Sequence, residues 1–239
     1  MTWLAGRFLA FDLETTDRDP HLARIVTATT ILIDPSTGGK DVTNWLSDVD
    51  GHDIPPETTA IHGITTAHAR THGQPAAEVA AQVAATIDQA WDQGIPVIGH
   101  NLGYDFTVED SELRRYFPNE GGLKLRKAVL DTYVLDKHFD RYRSGKRQLV
   151  PTAAHYGIRL SEEDAHDATA DALASARILW VMARRYPQLA AMTLDALYDA
   201  QVAWYREQQL SLAEYFLRQG KTEHVSTEWP IRPVPAVTP

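Results

Sequence analysis

Residues 7–16 read RFLAFDLETT, an apolar run that ends in two acids and two threonines. The run over residues 7–11 is apolar and aromatic, which predicts a strand buried on both faces. Asp12 and Glu14 follow at the end of that strand, and alternate strand residues share a face. The two carboxylates therefore point the same way, with their Cα atoms about 7 Å apart. A shared cation would relieve their mutual repulsion.

The alternative for Asp12 and Glu14 is a pair of solvated acids that introduce a turn at Thr15 and Thr16. A lone Asp-x-Glu after an apolar strand is more typical of that alternative. These two residues by themselves therefore do not predict a metal site.

The rest of the chain predicts strands and helices that alternate after this first strand. Strands are expected where short apolar or β-branched runs lie between turn signals, at residues 25–33, 42–46, 96–99 and 128–130. Helices are expected where apolar residues recur every three or four positions, at residues 76–91, 102–117 and 168–185. This order predicts an α/β or α+β fold around one mixed sheet.

We expect three consecutive regions: a core domain over residues 1–186, a helical extension over 187–220 that packs on the core, and a tail over 221–239. The extension is expected to be helical because residues 194–219 have an amphipathic pattern. The tail is rich in proline over residues 229–235, which indicates an extended or disordered segment.

The composition limits the chemistry of any metal site in this chain. The 239 residues contain no cysteine, which excludes disulfides and thiolate ligands. A site built from oxygen ligands favours magnesium, calcium or manganese. The net charge of −9 argues against a protein that coats nucleic acid through charge alone. No apolar run reaches the roughly 20 residues of a membrane span, so we expect a soluble, cytoplasmic protein.

Two further residues near the expected helix over 168–185 could join the acids of the first strand. Asp171 shares a stripe with Ala174 and Ile178, and an inward-facing acid is costly unless it is paired or binds a metal. The alternative is an acid that the helix dipole favours. His166 would lie about 140° off that face within a helix, so we expect it in the preceding loop. There it could take a proton from water; a surface or capping histidine is the alternative.

Three motifs together resemble the DEDDh branch of the DnaQ-like 3′→5′ exonucleases. They are FDLETT at residues 11–16, GHNLGYDF at residues 99–106 and HDATADA at residues 166–172. The second motif adds Asp105, which alone would be an ordinary acid in a first helical turn. IHGIT at residues 61–65 also matches, whereas Asp17 departs from the glycine that the family often has. The resemblance spans roughly residues 7–185, and its strength lies in the order of several weak motifs.

The resemblance implies a ribonuclease H-like α/β fold, with a mixed five-stranded sheet flanked by helices and a C-terminal helical extension. It also implies a two-metal mechanism with Mg²⁺, for which Mn²⁺ would substitute. Asp12, Glu14 and Asp171 would hold the first ion, with Asp105 assisting through water. Asp12 would bridge to the second ion, and His166 would be the general base.

The resemblance further implies a substrate and the residues that contact it. Leu13, Thr15 and Thr16 would contact the terminal nucleotide, with His62 and Asn101 as supporting contacts. The expected substrate is the 3′ end of DNA, in proofreading or repair, with nucleoside 5′-monophosphates as products. The same chemistry on RNA is the close alternative. Less favoured alternatives are a catalytically silent nucleic-acid-binding module and a site that merely binds calcium.

Two other segments suggest contacts with partners. The loop around Arg141, Arg143, Lys146 and Arg147 is basic and could grip a phosphate backbone, or it could be a flexible exposed loop. Residues 209–213, QLSLA, resemble the short peptide by which bacterial replication proteins bind the sliding clamp. The same residues fit an amphipathic helix, which is the favoured interpretation.

Overall fold

The computed structural model describes residues 3–160, 167–223 and 225–234, and its centre is a mixed sheet. The strands are β1 (Phe8–Thr15), β2 (Ile25–Asp34), β3 (Gly39–Leu46), β4 (Val97–Gly99) and β5 (Val129–Asp131). Their spatial order is β3-β2-β1-β4-β5. β1 pairs antiparallel with β2 and parallel with β4, and β3 and β5 form the two edges. The expected mixed five-stranded sheet is confirmed.

Helices pack on both faces of this sheet, as the resemblance implies. They are α1 (Pro56–His62), α2 (Thr66–His72), α3 (Ala76–Asp92), α4 (Leu102–Tyr116), α5 (Thr132–Phe139), α6 (Leu149–His155), α7 (Ala168–Arg185), α8 (Pro187–Ala191) and α9 (Leu194–Arg218). The long helices bury apolar stripes, such as Val83 and Ile87 of α3 and Ile178 and Met182 of α7. Across the described ranges, no helix is both long and apolar enough to cross a bilayer.

The side chains of β1 alternate between the two faces of the sheet, and this alternation decides where its acids point. The odd-numbered apolar residues over 9–13 pack in one cluster with α3 and α4. Ala10 packs on the other face, against Ala172 of α7. Because successive strand residues point to opposite faces, Asp12 and Glu14 lie on the α7 side.

α9 packs along the outer edge of β5 and forms hydrogen bonds to its backbone through one side chain. The buried amide of Gln201 accepts a hydrogen bond from the backbone N–H of Asp131 at 2.8 Å. It also donates to the backbone carbonyl of Val129 at 2.8 Å. The amide thus takes the place of a neighbouring strand, which satisfies polar groups that a sheet edge otherwise leaves unpaired.

The QLSLA segment at residues 209–213 lies inside α9, and Gln209 is buried. A clamp-binding peptide must be extended and accessible. The interpretation as a sliding-clamp peptide is therefore wrong, and the amphipathic helix is confirmed.

The described part of the proline-rich tail is extended, one of the two expected alternatives, and it packs on the core. Trp229 is buried and packs against Tyr198 of α9, with ring centroids 5.4 Å apart. Its indole donates to the carboxylate of Asp131 at 3.3 Å. Further along, the backbone N–H of Arg232 donates to the hydroxyl of Thr107 in α4 at 3.0 Å. The proline content of the tail predicts only that it forms no helix. The burial of the Trp229 indole depends on tertiary packing, which the proline content does not indicate.

The basic loop between α5 and α6 is held by buried ion pairs, so neither sequence interpretation describes it fully. The carboxylate of Asp136 accepts from Arg143 at 2.9 Å and from Arg147 at 2.7 Å, and it has no exposed side-chain surface. The guanidinium groups of Arg143 and Arg147 therefore form ion pairs inside the protein and are not free to bind phosphate. Arg141 is exposed and pairs with Glu207 of α9 at 3.0 Å.

Candidate active site

Three carboxylates from two separate elements meet above the sheet. Asp12 and Glu14 extend from β1 towards α7, and Asp171 extends from the first turn of α7. One oxygen atom from each of the three lies within 4.8 Å of the other two. Residues 159 positions apart in the chain, counted from Asp12 to Asp171, are thus brought to one point. The three expected metal-binding acids of β1 and α7 converge.

The three acids repel one another, and this repulsion contributes to the raised pKa values of Asp12 and Glu14. Burial raises the pKa of Asp12 well above its usual value, and the charges of Asp105, Asp171 and Glu14 raise it further. Burial, followed by the charges of Asp171 and Asp105, raises the pKa of Glu14 to about 8. Within the described residues, no salt bridge includes Asp12 or Glu14. A bound cation would balance the charges of these two carboxylates.

Asp105 approaches the cluster from the opposite side of β1. It lies in the first turn of α4, is buried, and accepts a hydrogen bond from the backbone N–H of Leu13 at 3.2 Å. Burial raises its pKa to about 8. Asp105 is outside the group of three that share a 4.8 Å neighbourhood, but its charge is the second-largest cause of the raised pKa of Asp12. It is therefore not the ordinary solvated acid of a first helical turn.

The residues present fit a divalent cation. Their donors are carboxylate oxygens, which magnesium and manganese prefer. Three such oxygens lie close enough to share one ion, and a bound cation would remove the repulsion that raises the pKa of Glu14.

His166 lies outside the described residues, so its expected place over the carboxylates stays a prediction. The helix that carries Asp171 begins at Ala168. Asp167 caps that helix by accepting hydrogen bonds from the backbone N–H groups of Thr169 and Ala170 at 2.9 and 3.0 Å.

The five expected nucleotide contacts belong to three parts of the fold. Leu13 and Thr15 belong to β1 and Thr16 follows it, so all three border the carboxylates. Asn101 precedes α4 with a left-handed φ of 68°, and its N–H donates to Asp131 at 2.8 Å. His62 ends α1, where its Nδ1 accepts from the N–H of Ile64 at 3.1 Å. Their roles towards a nucleotide stay predictions.

Tyr104 is a site residue that the sequence reasoning did not single out. Its hydroxyl contacts the hydroxyl of Thr15 and donates to the backbone carbonyl of Asp17. This contact ties the start of α4 to the turn after β1. Tyr104 was present in the GHNLGYDF motif, but nothing in the sequence indicates which residues a tyrosine hydroxyl will meet.

A family match covers most of the chain. The sequence model of the family RNase_T, described as exonuclease, matches residues 9–179. That stretch contains β2 to β5, all of β1 except its first residue, and the part of α7 that carries Asp171. No curated protein sequence matches the chain.

Solved structures of exonuclease I have a similar fold. E. coli exonuclease I in complex with a dT13 oligonucleotide is 21% identical, with a TM-score of 0.59 over 77% of this chain and 42% of that one. The zinc-bound complex of the E. coli enzyme with single-stranded DNA is 22% identical, with a TM-score of 0.61 over 87% and 45%. Exonuclease I from Methylocaldum szegediense is 20% identical, with a TM-score of 0.59 over 89% and 45%. This chain thus spans less than half of the chains that it matches.

Proposed function

The chain belongs to the RNase_T exonuclease family, and we propose that it is a metal-dependent 3′→5′ exonuclease that releases nucleoside 5′-monophosphates from DNA. The observation that carries the proposal is the meeting of Asp12, Glu14 and Asp171 within 4.8 Å. A cluster of acids in the path of a polyanionic substrate is unfavourable unless cations intervene. Hydrolysis of phosphodiesters is a reaction in which such cations are useful.

Asp12, Glu14 and Asp171 would hold the metal, and magnesium is the ion that we propose. Two bound cations would supply Lewis-acid stabilisation of the phosphate charge and lower the pKa of a water molecule. Asp105 accepts a hydrogen bond from the N–H of Leu13. It thereby positions the strand from which Asp12 and Glu14 extend. His166 would accept the proton of the attacking water, since an imidazole is neutral and basic near pH 7.

Single-stranded DNA is the proposed substrate because relatives of the same fold were solved with a dT13 oligonucleotide and with single-stranded DNA. Leu13, Thr15 and Thr16 border the cluster and are the proposed contacts of the terminal nucleotide, with Asn101 and His62 in support. Proofreading or repair is the setting in which such an activity would be used.

A product assay tests this proposal directly. A 20-nucleotide single-stranded DNA with a 5′ label should shorten one nucleotide at a time in Mg²⁺, and chromatography should identify 5′-monophosphates. RNA of the same sequence should be degraded at least about tenfold more slowly, because a sugar pocket that fits deoxyribose rejects the extra hydroxyl. Internal fragments, or products with a 3′-phosphate, would contradict the proposal.

Two substitutions separate the metal ligands from the proposed base. Asp12→Asn and His166→Gln should each lower kcat by at least about a hundredfold, which is typical for the loss of a general base or a metal ligand. Asp34→Asn is the matched control, because it makes the same charge change at the end of β2, away from the cluster. Turnover of Asp34→Asn should stay within twofold of the unmodified protein. Unchanged turnover in His166→Gln would remove His166 from the mechanism.

A further inference from the structure

A second concave surface lies between α5, the basic loop and α9, and it contains none of the four acids of the candidate site. It encloses a cavity of about 450 Å³. We call it the basic cavity, after the charged residues that line it together with aromatic ones: Lys137, Arg141, Arg147, Glu207, His138 and Tyr215. The volume is sufficient for one nucleotide or a group of similar size.

Arginines outnumber carboxylates in the wall of the basic cavity. Asp136 is shared by Arg143 and Arg147, and Glu207 pairs with Arg141 alone. The guanidinium of Arg147 also donates to three backbone carbonyls of the loop. Its donors are thereby occupied, but its charge still acts on the cavity. This wall is positive although the whole chain carries a net charge of −9.

Lys137 adds a further positive charge to the wall of the basic cavity. Among the described residues, no carboxylate forms a salt bridge with its ammonium group, which lies 4.9 Å from the centre of the Tyr133 ring. Burial and the neighbouring charge of Arg147 lower the pKa of Lys137. An anion in the cavity would raise the pKa of Lys137, because an opposite charge nearby favours the ammonium form.

Aromatic surface borders the same positive wall. His138 stacks on Trp204 with ring centroids 3.7 Å apart and an interplanar angle of 16°, and both rings line the cavity. His138 is exposed, and Tyr215 on α9 is half-exposed. Rings of this kind are surfaces on which nucleobases stack without regard to sequence.

The basic cavity is connected to the candidate active site through His100. One ring nitrogen of His100 is 2.8 Å from the backbone carbonyl of Arg147 in the basic loop. The other is 2.8 Å from the hydroxyl of Thr132, at the start of α5. His100 directly follows β4 and precedes the helix that carries Asp105. The loop that carries Arg147 is therefore held to the end of β4, the strand that pairs with the β1 strand from which Asp12 and Glu14 extend.

We propose that the basic cavity binds the backbone phosphate and a base of single-stranded nucleic acid, 5′ of the nucleotide that is removed. Repeated negative charge matches a lining in which Lys137, Arg141 and Arg147 stand against Glu207, and flat bases match the exposed rings. α9 lies beyond the stretch that the family match covers, so this contact would add a surface outside that stretch to the candidate site. The inference rests on the proposed function for its choice of ligand.

Binding of a labelled oligonucleotide tests the inference without hydrolysis. The probe is a fluorescein-labelled 20-nucleotide oligothymidylate, followed by anisotropy in EDTA at several salt concentrations. Lys137→Gln should weaken binding about three- to tenfold and reduce the slope of log K against log salt by about 0.7, the value of one phosphate contact on a single strand. Tyr215→Ala should weaken binding about fivefold or more through loss of stacking.

Arg206→Gln is the matched control, since it removes one positive charge from α9, which borders the cavity, at a residue outside the cavity lining. Its affinity should stay within twofold of the unmodified protein. Equal affinity and equal salt slope for Lys137→Gln and the unmodified protein would overturn the inference. So would a labelled acidic decapeptide that binds in a Lys137-dependent manner while oligonucleotide binding does not change.

Turnover of substrates of two lengths separates this inference from the proposed function. A thymidine dinucleotide is too short to reach the cavity, so kcat/KM for it should be equal in Lys137→Gln and the unmodified protein. For the 20-nucleotide substrate, kcat/KM should fall about three- to tenfold. If neither protein hydrolyses either substrate, the proposed function fails, and the anisotropy result still decides the inference.

Discussion

At the scale of single residues, Asp12 shows how a site can be unfavourable by itself and favourable with its ligand. Burial and four neighbouring carboxylates raise its pKa. A carboxylate whose pKa is raised in the folded state costs stability as pH rises above the unfolded pKa of about 4. The cation-free protein should therefore lose stability from about pH 4 up to about pH 8, where Glu14 and Asp105 titrate.

Stabilisation by a bound cation should consequently depend on pH. Mg²⁺ at a hundred times its Kd should stabilise the fold by about 2.7 kcal/mol at pH 8.5. At pH 6 the same concentration should stabilise it by less than half as much, since protons compete for Glu14 and Asp105. Thermal unfolding with and without Mg²⁺ measures both values. Asp171→Asn should show little Mg²⁺ effect at either pH, and equal stabilisation at both pH values would contradict the account.

Glu109 of α4 is a second buried acid, with no part in the proposed chemistry. Within the described residues, neither of its carboxylate oxygens has a hydrogen-bond partner, and its side chain is fully buried. Burial, followed by the charge of Asp110, raises its pKa well above the usual value. Below the unfolded pKa of about 4 both states are protonated, so the penalty develops only as pH rises.

Glu109→Gln should therefore stabilise the protein at pH 7 by about 1–3 kcal/mol and have almost no effect at pH 4. Glu112→Gln is the contrasting variant on the same helix, because the buried Glu112 pairs with Arg24 and Arg115. It should destabilise by about 3–5 kcal/mol at pH 7. Urea unfolding at the two pH values measures both, and a destabilised Glu109→Gln at pH 7 would mean that the acid has a partner.

At the scale of elements, the edge of β5 depends on one side chain of α9. Gln201 supplies both a donor and an acceptor to the strand. Gln201→Leu should cost about 2–5 kcal/mol, because it leaves a buried N–H and a buried carbonyl unpaired. Gln208→Leu, which loses one partly buried bond to the carbonyl of Val134, should cost about 1 kcal/mol. Equal losses in chemical denaturation would show that Gln201 does not act as a strand partner.

Helix bounds were well predicted from sequence where the signal is local. Residues 168–185 were predicted for α7 and are the observed bounds, because apolar periodicity and Pro187 mark both ends. The end of β1 was predicted less well. The apolar run stops at Phe11, but pairing with β2 continues to Thr15, and an apolar pattern cannot signal strand residues that carry acids.

The candidate site was predictable to a similar degree. Alternation along β1 indicates that Asp12 and Glu14 share a face, and the stripe of α7 indicates that Asp171 points inward. Their meeting required the order of the family motifs, since no local signal relates positions so far apart. The ion pairs of Arg143 and Arg147 with Asp136 could not be predicted, because Asp136 is buried only once α5, α6 and the loop have packed together.

At the scale of the whole molecule, the tail holds together elements that are distant in sequence. Trp229 donates a hydrogen bond to Asp131 at the end of β5. Its indole also lies against Gly103 near the start of α4, so close that a Cβ atom on this residue would be 3.2 Å from the ring. Asp131 also accepts hydrogen bonds from the N–H groups of Asn101 and Tyr133. The tail thus supports the junction from which α4 and α5 both begin.

Trp229→Ala should destabilise the protein by about 3–5 kcal/mol, the usual cost of removing a buried tryptophan. Trp180→Ala is the matched control, since Trp180 on α7 is 46% exposed and its ring contacts Arg184. It should cost less than about 1 kcal/mol. The midpoint of urea unfolding compares the two variants. A small loss for Trp229→Ala would mean that the tail rests on the core without stabilising it.

The measurement that tests the central claim most directly is anomalous diffraction from crystals soaked in Mn²⁺ and a nucleoside 5′-monophosphate. We predict a manganese peak coordinated by oxygens of Asp12, Glu14 and Asp171, with the phosphate against it. A peak at other residues, or none at the carboxylates when manganese saturates the crystal, would contradict it.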